Sequence, residues 1–442
     1  MEAKARVEAI AEIIQKCYYF GIFPFKWDTS ESLIRTTNSR LKVFQWVVNM
    51  ILFGFYVSFE ISRYIWTVHG NPSSEKGQSD FQAFIAGILL SCFFYLEMIR
   101  NLRYFPTVAN RIIKLSGAFT QESHFTGDAS AVVSKISRRG IRRIKISSRL
   151  IQGMIVVYAL RLIARPEKPF HVTSVFLGSD YQKWWKVVCI LFQSYMWVLQ
   201  QMPLVVFATL HFHHTATMQE YLSILGRDTG GSDKLFYFTK CYPKLRVAQI
   251  QWNHYAGRFY TYNIVVCVTS MTLNVYEAVT AHTTKSIFAL IVVGYCLALF
   301  TLSVAEHLEM SEKVLRSWKY QHEPIWFQKF HKSCRPLYTQ NGGFGFIDRG
   351  ICFTLLEIIV SNSTSLIISS QNGQDFCTLG LVIIFTLLFW GLIERCDIVP
   401  RSSELDIICC MATNSQTNLY VLVNNCYYVT SQQFLGITWL NN

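Results

Sequence analysis

Long apolar runs separated by polar, basic segments dominate the pattern along this chain. Seven of them approach the roughly 20 residues that a helix needs to cross a bilayer core of about 30 Å. They fall at 43–67, 81–99, 150–165, 187–209, 261–280, 287–305 and 350–371. The third is short and is expected to begin a turn earlier, near Ile144. An eighth run, 376–393, is the most apolar of all. Between the runs, RVAQIQWNHYAGRFY (246–260) and HLEMSEKVLRSWKYQ (307–321) place apolar residues three and four apart among charges, which predicts helix continuing beyond the membrane. No internal repeat is visible, so the inverted-repeat logic of many transporters has nothing to rest on. The pattern predicts an all-α polytopic membrane protein of seven transmembrane helices, with a doubtful eighth segment.

Lysine and arginine fix the orientation. Of 41 such residues, 31 lie in 1–42, 100–149, 210–260 and 306–349, and only 6 in 68–80, 165–186 and 281–286. Cytoplasmic loops keep the excess of positive charge. The N-terminus is therefore expected inside and the end of the seventh span outside. This opposes a G-protein-coupled receptor, whose N-terminus lies outside; an Asp-Arg-Tyr-type triplet after span three is also missing.

Composition agrees: 51% of the 442 residues are apolar and 16% charged, where soluble domains carry about 25% charge. The net charge of +13 does not indicate nucleic acid, because the densest basic run, Ser137 to Lys145, stands just before a span as an anchor to anionic lipid. Thirteen cysteines are scattered singly, without disulfide or metal-site spacing. His211, His213 and His214 have no carboxylate or cysteine at matching spacing, and interfacial histidines at the inner end of span four account for them. No metal and no cofactor is expected. Walker, G-x-S-x-G, H-E-x-x-H and dinucleotide motifs are all missing, so nothing supports an enzyme. Asn362-Ser-Thr is a glycosylation sequon in form only, since it lies within a span, and proline blocks Asn71-Pro-Ser.

The segment CRPLYTQNGGFGFIDRGICFTLLEIIVSNSTSLIISSQ (334–371) runs from a basic, polar approach through a Gly/Phe turn and Ile-Asp-Arg into the seventh span. It resembles the last transmembrane segment of arthropod gustatory receptors, a branch of the insect chemoreceptor superfamily. That family closes on Thr-Tyr, five mostly apolar residues, then Gln-Phe. Thr364, Ser365, Leu366 to Ser370, Gln371 and Asn372 fall on it in register, with Thr364 and Gln371 matching and Ser365 and Asn372 departing. The resemblance implies a tetramer whose seventh spans enclose a cation pore opened by a small-molecule tastant. It further implies a plasma-membrane location in a sensory neuron, partner subunits of the same or related chains, and a ligand pocket in the outer half of the other spans. Odorant receptors share this fold and are the nearest alternative; a secondary transporter is another.

A cation pore needs a polar ring and an apolar ring that dewets when shut. The family's motif positions assign these roles to Gln371 and Ile368, with Thr364 on the same span. Glu357 either lines the inner vestibule or pairs with Arg349 on a similar helical face. Outer-half candidates for ligand contact are Tyr158 and Arg161, Trp185 and Gln193, and Asn274 and Glu277, which suit a sugar or another polar organic molecule. Trp184 and Trp185, flanked by Lys183 and Lys186, also fit an interfacial aromatic belt, and Arg161 could equally pair with Glu277.

The expected organisation is thus a cytoplasmic segment 1–42, a channel domain 43–371 and an atypical extension 372–442. That extension is either an eighth helix over 376–393 or the product of a mis-spliced or read-through coding sequence. Its stretch 419–440 is β-prone and nearly free of charge, and only Arg395 and Arg401 provide basic residues after the eighth run.

Overall fold

The computed structural model describes residues 2–70, 88, 91–122, 128–164, 172, 182–226, 232–281, 284–318, 324–342 and 345–371. The chain divides into two units, Met1–Phe376 and Cys377–Asn442, and the eighth apolar run and the rest of the second unit lie outside the described residues.

Every one of the seven apolar runs is helical where described. The helices are α1 (Glu2–Tyr19), α2 (Arg40–Gly70), α3 (88 and 91–100), α4 (Tyr104–Glu122), α5 (Asp128–Ala164) and α6 (Gln182–Leu225). They continue with α7 (Ser232–Ala281), α8 (Thr284–Ser317), α9 (Ile325–Ser333) and α10 (Gly350–Gln371). Five of them, α2, α5, α6, α8 and α10, are long and apolar enough by themselves to cross a membrane. This is an all-α polytopic membrane protein. The 44 residues of α6 span about 66 Å at 1.5 Å per residue, twice a bilayer core. The predicted helical extensions are present, since α7 and α8 run unbroken through 246–260 and to Ser317. The helix of the third run, α5, starts at Asp128 rather than near Ile144, because its basic turns find a packing partner in α6 along much of their length.

The first 42 residues hold more structure than their mixed polarity suggests. Ile10, Ile13, Ile14 and Cys17 repeat at helical spacing and are buried, so α1 is amphipathic and docks by that face. Gly21, at φ +64°, ends it, with the Ile22 N–H donating to the Cys17 carbonyl at 2.9 Å. A side chain at Gly21 would meet Gln45 Cγ at 2.6 Å. Strands β1 (Phe25–Asp28) and β2 (Leu33–Thr36) then pair antiparallel, Phe25 opposite Thr36 and Asp28 opposite Leu33. The Ser30 hydroxyl and N–H both donate to the Asp28 carboxylate, which these bonds hold below the usual carboxylate range. Asn110 of α4 clamps the hairpin through the Ile34 N–H and carbonyl at 2.7 and 2.8 Å.

Arg6 anchors α1 to the bundle. Its two terminal nitrogens donate to the two Glu220 oxygens of α6 at 2.5 and 2.6 Å, and Nη1 also donates to Ser137 Oγ of α5. Both partners of the pair are fully buried. Beside them a Cβ at Gly140 would stand 2.7 Å from Ala216 Cβ and 3.4 Å from Arg6 Cδ, so the absence of a side chain sets the approach of α5 to α6. Gly140→Val is expected to cost about 1–3 kcal/mol by overpacking this contact. The measurement is the midpoint of thermal unfolding of detergent-purified protein; an unchanged midpoint would show that the two helices part freely.

The core at the α1 end joins α6, α7, α8 and α9 around Phe238, Tyr242, Leu245, Trp318 and Phe327. Phe238 and Trp318 lie 4.6 Å apart, ring centre to ring centre. Among the described residues the cysteines are all free, and no group of three or more His, Cys, Asp or Glu is placed to hold a metal ion.

Candidate functional site

Helix α10 buries one face and leaves the other open. Leu355, Ile359, Ser363 and Leu366 recur at spacings of four, four and three and are buried, mainly against α7. Ser363 Oγ donates to the Ile359 carbonyl of its own helix at 2.7 Å and also reaches the Thr272 carbonyl of α7 at 3.4 Å. On the opposite side, Glu357, Ser361, Thr364 and Ile368 follow at spacings of four, three and four and are all exposed, Ile368 at 54%. Three further residues along this line comes Gln371, the last residue of the helix, whose side chain lies outside the described residues. Three of the four residues expected from sequence to serve the pore therefore share one uncovered stripe, polar except for Ile368, and the helix ends on the fourth. The Thr364 hydroxyl donates to the Val360 carbonyl at 2.8 Å. Arg349 does not pair with Glu357. It meets Glu309 of α8 at 2.5 Å, because the turn before α10 folds back on that helix.

A second constellation occupies the half of the bundle away from α1. Gln193 of α6 donates to the Tyr158 hydroxyl of α5 at 2.8 Å and to Tyr56 of α2 at 3.5 Å, and its oxygen accepts the Val172 N–H at 3.0 Å. Tyr158 stacks on Trp197 with ring centres 3.7 Å apart. Glu60, one turn beyond Tyr56, is fully buried within the electrostatic reach of both tyrosines. Tyr158 and Gln193 were expected here from sequence. Tyr56, Glu60 and Trp197 were missed, although a lone carboxylate inside an apolar run was signal enough to single out Glu60.

The other outer candidates stand apart among the described residues. Trp184 and Trp185 are exposed, which suits an aromatic belt. Asn274 is buried on α7 and donates to the Ser270 carbonyl at 2.7 Å, while Glu277 is half-buried on the same helix. Arg161 lies on α5 with its side chain outside the described residues, as does any pairing with Glu277.

The histidine reading needs correction. His211, His213 and His214 are not interfacial; all three are fully buried, as is His307 of α8. His211 bridges three helices, meeting Tyr260 Oη of α7 at 2.6 Å through Nδ1 and Ser303 Oγ of α8 at 2.7 Å through Nε2. His214 Nε2 lies 3.0 Å from Gln249 Oε1 and its ring stacks on Trp252. Because α6 continues past the apolar run into the core of the α1 end, His211 and His214 meet polar partners on neighbouring helices instead of water.

No family profile matches the chain, and no curated protein matches its sequence. Comparison with solved structures gives a different result. The insect olfactory receptor OR5 from Machilis hrabei superimposes with a TM-score of 0.60 at 12% identity, over 82% of this chain and 97% of that one. The same receptor in complex with eugenol gives 0.62 at 11% identity over the same shares. The chain thus carries the fold of an insect olfactory receptor.

Proposed function

We propose that this protein is a chemoreceptor of the insect gustatory type, a ligand-gated nonselective cation channel in the plasma membrane of a sensory neuron. Its N-terminus faces the cytoplasm, as the loop charges require. Four chains, of one or of related kinds, bring their α10 helices around a central pore. The observation that carries this reading is the α10 stripe: a chain acting alone has no use for a span that turns Glu357, Ser361 and Thr364 away from its own bundle. Around a four-fold axis the same residues face water. Ile368 closes the path as an apolar ring, and Gln371 coordinates cations weakly through its amide oxygen. The neutral amide supplies no net charge, which suits poor discrimination among cations.

The ligand, a small organic tastant, is received by Tyr56, Glu60, Tyr158, Gln193 and Trp197, where aromatic faces surround a few polar groups. The solved neighbour in complex with eugenol supports small-molecule binding on this fold. It also supports the odorant receptor as second reading, since both solved neighbours are olfactory receptors. The gustatory assignment rests on the Thr364 and Gln371 register. Domain limits follow the same reading, with 1–42 cytoplasmic, 43–371 forming the channel and 372–442 an extension.

The test is ionic. Gln371→Glu is expected to raise calcium permeability relative to sodium several-fold, read as a positive shift of reversal potential in calcium-rich solution. Unchanged reversal potentials across sodium, potassium and calcium solutions would falsify the pore role.

A further inference from the structure

The α1 end contains a cavity of about 160 Å³ between α7 and the segment leading to α10. Its walls include Arg246, Gln249 and Asn253 of α7, and Arg335, Tyr338 and Gln340 across from them. Among the described residues no carboxylate lines it. Among the described residues neither arginine has an acidic partner, and Glu309 and Glu312 of α8 are already engaged by Arg349 and Arg316. Both arginines line the cavity with exposed side chains, and two like charges on one cavity favour an anion between them.

The wall carrying Arg335 is held rigidly. The Tyr242 hydroxyl donates to the Arg335 carbonyl at 2.7 Å, and the Leu337 N–H donates to Ser311 Oγ at 2.9 Å. Asn253 Nδ2 donates to the Tyr338 carbonyl at 2.9 Å, and Gln249 Nε2 donates to that carbonyl and to Thr339 Oγ1 at 3.0 and 3.1 Å. Those amides are occupied by the scaffold, which leaves the arginine forks, with the Tyr338 and Gln340 side chains, as the polar groups open to a ligand. Planar guanidinium forks match the oxygens of a phosphate monoester, and a backbone fixed beneath Arg335 reduces the ordering cost of binding.

We propose that this cavity is a binding site for a phosphorylated anion, an inositol phosphate or the headgroup of a phosphoinositide, clasped between Arg246 and Arg335. The segment Cys334 to Arg349 runs from α9 directly into α10, so a ligand tying it to α7 biases the helix that carries the pore stripe. Loop charge places this end of the bundle in the cytoplasm, where both sources of phosphate occur.

Binding is testable without any current, which separates this inference from the channel reading. Full-length protein in phosphatidylcholine nanodiscs is titrated with inositol hexakisphosphate, or compared with nanodiscs doped with phosphatidylinositol 4,5-bisphosphate, and thermal stabilisation is recorded. Saturable stabilisation that weakens at least about tenfold in apparent affinity in Arg246→Gln and in Arg335→Gln is the expected result. Arg316→Gln, at an exposed site elsewhere, is expected to leave it unchanged. The lysine variants R246K and R335K keep the charge, control for folding and retain part of the binding. A response to the soluble probe assigns a free phosphate ester, and a response only to doped nanodiscs assigns the lipid. Stabilisation by neither probe, or equal weakening by Arg316→Gln, overturns the site.

Discussion

Arg6→Ala is expected to destabilise the protein by about 3–5 kcal/mol, because it strands the Glu220 carboxylate in a dry interior. The pair is bidentate, fully buried and joins residues 214 positions apart, and no water reaches either partner to repay a broken contact. Glu220→Ala is expected to cost a similar amount by exposing the converse charge. Removing both charges together, as Arg6→Met with Glu220→Leu, is expected to restore most of the loss, since an apolar pair of similar volume carries no desolvation cost. Thermal unfolding of purified protein followed by intrinsic fluorescence measures all three. The exposed Arg316–Glu312 pair provides the contrast, and its removal is expected to change little. If Arg6→Ala melted with the parent, α1 would not be held by this pair.

Ile368→Ser is expected to produce a standing current without ligand, several-fold above that of the parent at equal surface expression. In the proposed four-fold pore an apolar ring at the constriction excludes water when the helices close, and a hydroxyl at each of its four positions gives water a foothold. Ile358 is the control: it is exposed on the same helix but turned about 100° from Glu357. Ile358→Ser is expected to leave the resting current low. Voltage-clamp recording in the absence of ligand separates them, and a silent Ile368→Ser that still answers ligand would remove Ile368 from the gate.

What could be read from the chain follows from properties that are local. A span is legible because its twenty residues each meet hydrocarbon, so hydropathy alone marks α2, α6, α8 and α10. Helical continuation through 246–260 and 307–321 is legible because the 3.6-residue period does not need a partner to be seen. The two faces of α10 are likewise implicit in the spacing of Leu355, Ile359, Ser363 and Leu366.

Which face is covered is another matter. Only packing against α7 decided that Glu357, Thr364 and Ile368 remain open. The histidines show the same limit in reverse: beside a predicted membrane boundary they read as interfacial, yet Tyr260 and Ser303 on two other helices enclose His211. Arg6 looked like one more basic residue in a polar leader until α6 brought Glu220 to it. Glu60 came within electrostatic reach of Tyr158 only once α2 and α5 converged. Sequence by itself determined the helices, their polarity and their orientation signal, because hydrophobicity and charge act residue by residue against membrane and water. The tertiary structure decided which polar groups share a site, because such contacts join positions far apart in the chain and depend on how whole helices pack.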